Sequence, residues 1–372
     1  MRGRTTRILG LAVALGLAAG PALGARLVDP ASARRETSAP LVIAQDAELT
    51  ALAAAGRATD LAARLERIAH DATLPDVARE WLLDRGLHAL ARTTPTPAAR
   101  ASVARLSASR PLVFARIDPD HGDRATPLYD TGATARFVLR EWDRATARGV
   151  ASAALAAGRT EAVARFAAAP AGSPAAEGIA DAFRSAPPAV VAGQRAAVAD
   201  ALAAGRRVDA LALIVAERLA DAALFDRVFD YADEPVALEA IPAVTRALDP
   251  VSALERLAAA SRRADIASAA VLEIGRLAED DATARRFLLD AVAAPDVGPS
   301  AAAALGRLGD PAVSAELGQR LAESRDEAAR RRLVLALKLD ATPAARAELA
   351  RFAKSDAGSA TLQKEVRQWL ER

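Results

Sequence analysis

Ile274-Gly275-Arg276-Leu277 recurs as Leu305-Gly306-Arg307-Leu308 and again as Ala336-Leu337-Lys338-Leu339, in two equal steps along the chain. Upstream, Val244-Thr245-Arg246-Ala247-Leu248-Asp249 and, before it, Ala216-Glu217-Arg218-Leu219-Ala220-Asp221 continue the series at nearly the same spacing. A period of roughly 30 residues leaves room for two helices per unit. One such pair cannot bury its apolar face alone, so the units must stack. Within a unit the helical spacing is legible: Ala284, Phe287, Leu288 and Ala291 fall at i, i+3, i+4 and i+7, as do Ala267, Ala270, Val271 and Ile274. The second helix of a pair is almost entirely small, as in Ser300-Ala301-Ala302-Ala303-Ala304-Leu305. Its neighbours can therefore approach it closely on both sides.

The stretch Ala304-Leu305-Gly306-Arg307-Leu308-Gly309-Asp310-Pro311 resembles the signature that closes a unit in the short, alanine-rich HEAT repeats of the phycobilisome-lyase type. The other four units keep the apolar spacing and the basic residue but lose one or both glycines. The resemblance covers about residues 200–353 and implies an α-solenoid of stacked helical hairpins. It implies no catalytic residues and no lyase activity, because this repeat is a scaffold shared by unrelated proteins.

Composition agrees with an all-α chain. Of 372 residues 52% are hydrophobic but only 3% aromatic, so alanine and leucine carry the apolar total. With 26% charged residues the chain is neither fibrous nor disordered. The absence of cysteine excludes disulfides, thiolate metal sites and cysteine nucleophiles.

Residues 1–24 have the layout of a secretory signal peptide: Arg2, Arg4 and Arg7, an apolar run from Ile8 to Ala19, then small residues at Ala22 and Gly24. The run is too short to span a bilayer, and without an Arg-Arg pair it points to general secretion. The expected location is thus the bacterial periplasm or the exterior. Removing the three leader arginines from 49 basic residues leaves 46 against 47 acidic ones, a net charge of −1. A nearly neutral exported chain is a poor partner for nucleic acid.

Residues 25–45 contain Pro30 and Pro40 without sustained periodicity and read as a flexible lead-in. Residues 46–168 form an irregular helical region, with helices expected near 46–55, 60–70, 76–91, 97–108, 132–148 and 159–168. Pro170, Gly172, Pro174, Pro187 and Pro188 punctuate 169–190, which reads as a boundary before a repeat array over 191–372.

Three groups of residues are candidates for function. Arg218, Arg246, Arg276, Arg307 and Lys338 form a ladder, one per repeat, suited to an acidic peptide or an anionic polymer. In the first four, an acid follows three residues later, so the cations also suit helix C-termini while the acids cap or pair nearby, which is the favoured reading. The preferred site is the loop 109–131. It breaks the helical pattern and gathers Asp118, Asp120, His121, Asp123 and Tyr129. The loop can be structural, can bind a partner, or can hold a cation or a hydrolytic centre, although its spacing is not that of an EF-hand. Leu112–Ile117 is expected to be a short extended piece. Glu66 and His70, four apart near Trp81 and His88, read as a surface pair. Together these features predict a non-enzymatic scaffold that binds a protein partner in the cell envelope, needs no cofactor and is not inserted in the membrane. An envelope hydrolase or metal-binding protein using residues 118–123 is the alternative.

Overall fold

The computed structural model describes residues 26–116 and 125–371, and these are almost entirely helical. They form two compact units, one ending at Asp143 and one beginning at Arg144. Among the described residues, no helix is long and apolar enough to cross a membrane.

The first unit contains β1 (Arg26–Leu27), α1 (Pro30–Thr37), α2 (Pro40–Ala54), α3 (Ala58–Ala69), α4 (Asp76–Leu90), α5 (Pro97–Leu106), β2 (Val113–Arg116), β3 (Ala125–Pro127) and the start of α6 (Thr131–Ala156). Of the extended piece expected at 112–117, residues 113–116 form β2, the centre of a small sheet. β1 runs parallel to β2 with Arg26 opposite Val113, and β3 runs antiparallel to it with Phe114 opposite Pro127. The helical core joins Leu49 of α2, Leu61 and Leu65 of α3, Leu82 and Leu87 of α4, Val103 of α5 and Trp142 of α6. Gly86 faces α3 closely, and a Cβ there would push the Leu65 side-chain tip aside.

The stretch read as a flexible lead-in, 25–45, instead carries β1, α1 and the first turn of α2. Its prolines are helix starts. Pro30 follows Asp29, whose carboxylate accepts the N–H groups of Ala31 and Ser32, and Pro40 is the first residue of α2. Proline at that position gives up only an amide that has no partner inside the helix.

The second unit continues with α7 (Glu161–Ala168), α8 (Pro174–Ser185), α9 (Pro188–Ala192), α10 (Arg195–Ala203), α11 (Asp209–Leu219), α12 (Ala222–Tyr231), α13 (Glu234–Ala247) and α14 (Pro250–Ala260). It ends with α15 (Ala267–Leu277), α16 (Ala282–Ala291), α17 (Gly298–Leu305), α18 (Pro311–Glu323), α19 (Glu327–Asp340), α20 (Pro343–Lys354) and α21 (Ala360–Leu370). From α11 to α19 every second helix packs on the next in chain order, and α10, α12 and α14 do the same. The segment 169–190 is a correction to the expected boundary. It lies inside this unit and holds α8, because Pro174 and Pro188 also open helices.

The glycines of the repeated tetrapeptide have a packing role. A Cβ on Gly275 would meet the Ala304 methyl at 2.8 Å, and one on Gly306 would meet Leu339 Cβ at 2.6 Å. Each glycine of α15 and α17 thus admits the next helix of its own layer.

Candidate functional site

Asp118, Asp120, His121 and Asp123 lie outside the described residues. Tyr129 is described: it stands between β3 and α6, half-buried against the small cluster of Val28, Ala33, Val77 and Val113. Burial, with a smaller contribution from the Asp84 carboxylate, raises its hydroxyl above the ordinary tyrosine value.

The ladder belongs to the second unit. Arg218, Arg246, Arg276 and Lys338 occupy the last turns of α11, α13, α15 and α19, and Arg307 follows the Gly306 that ends α17. All five are exposed. Of the acids three residues on, Asp221, Asp249 and Asp310 cap α12, α14 and α18, while in the third unit Asp281, not Glu279, caps α16. The charges are met elsewhere. Glu217 pairs with Arg246 at 2.9 Å and Glu273 with Arg276 at 3.4 Å, Arg218 donates to the Ala186 carbonyl at 2.6 Å, and Lys338 lies 5.8 Å from the Trp369 ring. Arg307 makes no ion pair among the described residues.

In the first unit, Glu66 pairs with Arg105 at 2.5 Å, and that hydrogen bond holds its carboxyl below the ordinary glutamate range. Trp142 is buried and donates its indole N–H to the Thr93 carbonyl at 3.1 Å. Trp81 is covered by the Arg85 guanidinium at 5.1 Å.

A row of functional groups follows α4, where Glu80, Asp84, His88 and Arg92 recur every fourth position, the last just beyond the helix end. This spacing is readable in the sequence, although only His88 stands out there. Glu80 is 3% exposed, and its two carboxylate oxygens accept the backbone N–H groups of Leu112 at 2.7 Å and Val113 at 3.2 Å. Burial pushes this carboxyl up to about 7 against the lowering effect of those two hydrogen bonds. Asp76 raises it further and Arg79 opposes, with Arg79 itself engaged by Asp76 and by the carbonyls of Asp71 and Leu74. Glu80 thereby ties the sheet to α4. One turn on, Asp84 accepts the Thr134 hydroxyl at 2.8 Å, which fixes α6 to the same helix. His88 Nδ1 lies 2.8 Å from the Asp84 carbonyl oxygen, and the ring stands 6.0 Å from the half-exposed Phe137.

Between α2 and α4 the strip opens into a cleft of about 570 Å³. Leu49, Ala53, Gly86 and Ala89 give it an apolar floor, and Thr50, His88 and Arg92 stand on its walls. Asp46 and Arg85, also in the lining, neutralise each other at 2.8 Å. A volume of this size with an apolar floor and a few polar groups matches the usual dimensions of a ligand site. Among the described residues, no group of three or more histidine, aspartate or glutamate side chains is placed to hold a metal ion.

Compared with protein-family models, with curated proteins and with solved structures, the chain finds no match.

Proposed function

We propose that the chain is an exported, non-catalytic helical-repeat scaffold of the cell envelope that binds a protein partner, and that the α2/α4 cleft takes a peptide segment of that partner. The cleft carries this reading. It follows α2 from Asp46 to Ala54 and α4 from Asp84 past its C-terminus, so its lining extends over about 12 Å of helix, the length of a few extended residues. Its walls are held by Asp46–Arg85, by Asp84 with Thr134 and by Trp142 on Thr93, so little ordering is left for binding to supply. The signal-like residues 1–24 support export, and the stacked pairs of the second unit support a scaffold with no covalent chemistry of its own.

The test compares the chain from Ala25 onward with its Thr50→Trp variant, in which an exposed residue of the cleft wall is enlarged. Both are used to capture partners from envelope extract after in-cell crosslinking, and circular dichroism confirms the fold. The expected outcome is one partner crosslinked through the cleft of the parent chain and lost from the variant. Equal capture by both places recognition elsewhere.

A further inference from the structure

The charged groups of the cleft, Asp46, Asp84, Arg85 and Arg92, differ in how they are engaged. Asp46 is spent on Arg85, and Asp84 accepts from Thr134 with His88 beside it. The Arg92 side chain makes no ion pair or hydrogen bond among the described residues, so among the charged groups of the lining it is the one with no side-chain partner. His88 supplies a second, different group. Its Nδ1 faces a backbone carbonyl, which can only accept, so the neutral ring carries its proton there and presents Nε2 as an acceptor. A guanidinium selects a carboxylate, ideally in two parallel hydrogen bonds. An imidazole acceptor suits a peptide N–H. The floor of Leu49, Ala53 and Ala89 between them suits aliphatic side chains on either side of the acid.

We propose that the α2/α4 cleft binds an acidic peptide segment, with the side-chain carboxylate of a glutamate or aspartate paired to Arg92 and a neighbouring peptide N–H donated to His88 Nε2. This inference rests on the reading of the cleft as a peptide site. A side-chain carboxylate fits better than a chain terminus because the lining runs along about two turns of each helix, which leaves room for residues on both sides of the anchor.

The experiment uses the chain from Ala25 onward and three dye-labelled pentapeptide mixtures, both termini blocked, with leucine or alanine around a central glutamate, glutamine or lysine. Binding is read by fluorescence anisotropy at low salt. The glutamate mixture is expected to bind about fivefold more tightly than the glutamine one, as one exposed charge pair supplies. In Arg92→Glu the order reverses and the lysine mixture binds best. His88→Ala weakens all three alike. Equal binding of the three mixtures that disappears in Thr50→Trp overturns the acidic preference while the cleft remains a peptide site. An acidic preference that survives Arg92→Glu overturns the anchor, and no binding of any mixture overturns both the inference and the reading beneath it.

Discussion

At the scale of single residues the most consequential group is Glu80. Its carboxylate is buried under β2 and satisfies two amides of another segment, so deleting it would strand the Leu112 and Val113 N–H groups. Each buried donor left without an acceptor costs about 1–3 kcal/mol. The carboxyl is held up to about 7 in the folded chain against 4.5 for an ordinary glutamate. Between those values the folded state binds more protons than the unfolded state, so stability falls as pH rises. The benefit of the neutral group is complete below about 4.5 and gone above about 7. Glu80→Gln keeps one acceptor and cannot ionise. Urea denaturation across pH 4.5 to 7 should show this component of the decline in the parent and its absence in the variant, whereas parallel curves would mean that Glu80 titrates alike in the folded and unfolded chains. None of this is visible at position 80 alone. An acid in mid-helix reads as solvated, and its burial depends on backbone 32 and 33 positions away. His88 is different, since a rare residue type near a tryptophan attracts notice without any partner being known.

At the scale of elements, packing explains the repeated tetrapeptide. Gly275 lies where α17 crosses α15, and an added methyl would stand 2.8 Å from that of Ala304. Alanine in place of a helical glycine ordinarily gains about 1 kcal/mol of helix propensity. Here the overpacking cost of about 1–3 kcal/mol opposes it, and the obstructing atom is a methyl fixed directly to the backbone, which has no rotamer to escape into. Gly275→Ala is therefore expected to destabilise the second unit. Ala304→Gly should destabilise it too, and the double variant should lose less than the sum of the two by at least about 1 kcal/mol. Additive losses in urea denaturation would show that the crossing tolerates the methyl. This element level is where the sequence is most readable. The helices expected at 76–91 and 97–108 are α4 and α5 to within two residues at either end, and the period of the repeats reappears as helices packed every second element. Proline is the exception. In Pro30, Pro40, Pro174 and Pro188 the residue reads as a break and is in fact a first turn: Asp29 and Ser173 cap the first and third of these helices, while those at Pro40 and Pro188 start without a side-chain cap, so the local backbone and not a motif decides.

For the molecule as a whole, the expected division at 169–190 moves to residue 143 because periodicity reports helices and not which core they join. α6 is one continuous helix from Thr131 to Ala156, so no composition signal marks the point where its buried residues change allegiance. Trp142 packs with the leucines of α2 to α4, whereas Ala151, Ala154 and Leu155 pack with the core that extends to Val366. Two cores imply two responses to damage. Leu65 is fully buried in the first, and Leu65→Ala should cost that unit about 2–5 kcal/mol through lost burial and the cavity left behind. The three tryptophans report on the units separately, Trp81 and Trp142 lying in the first and Trp369 in the second. In a Trp81→Phe, Trp369→Phe background the remaining fluorescence follows the first unit, and with Trp81→Phe, Trp142→Phe it follows the second. Adding Leu65→Ala is expected to move the urea midpoint seen by Trp142 and leave that seen by Trp369 in place. Equal displacement of both midpoints would mean that the chain unfolds as a single cooperative body, with α6 transmitting the loss from one core to the other.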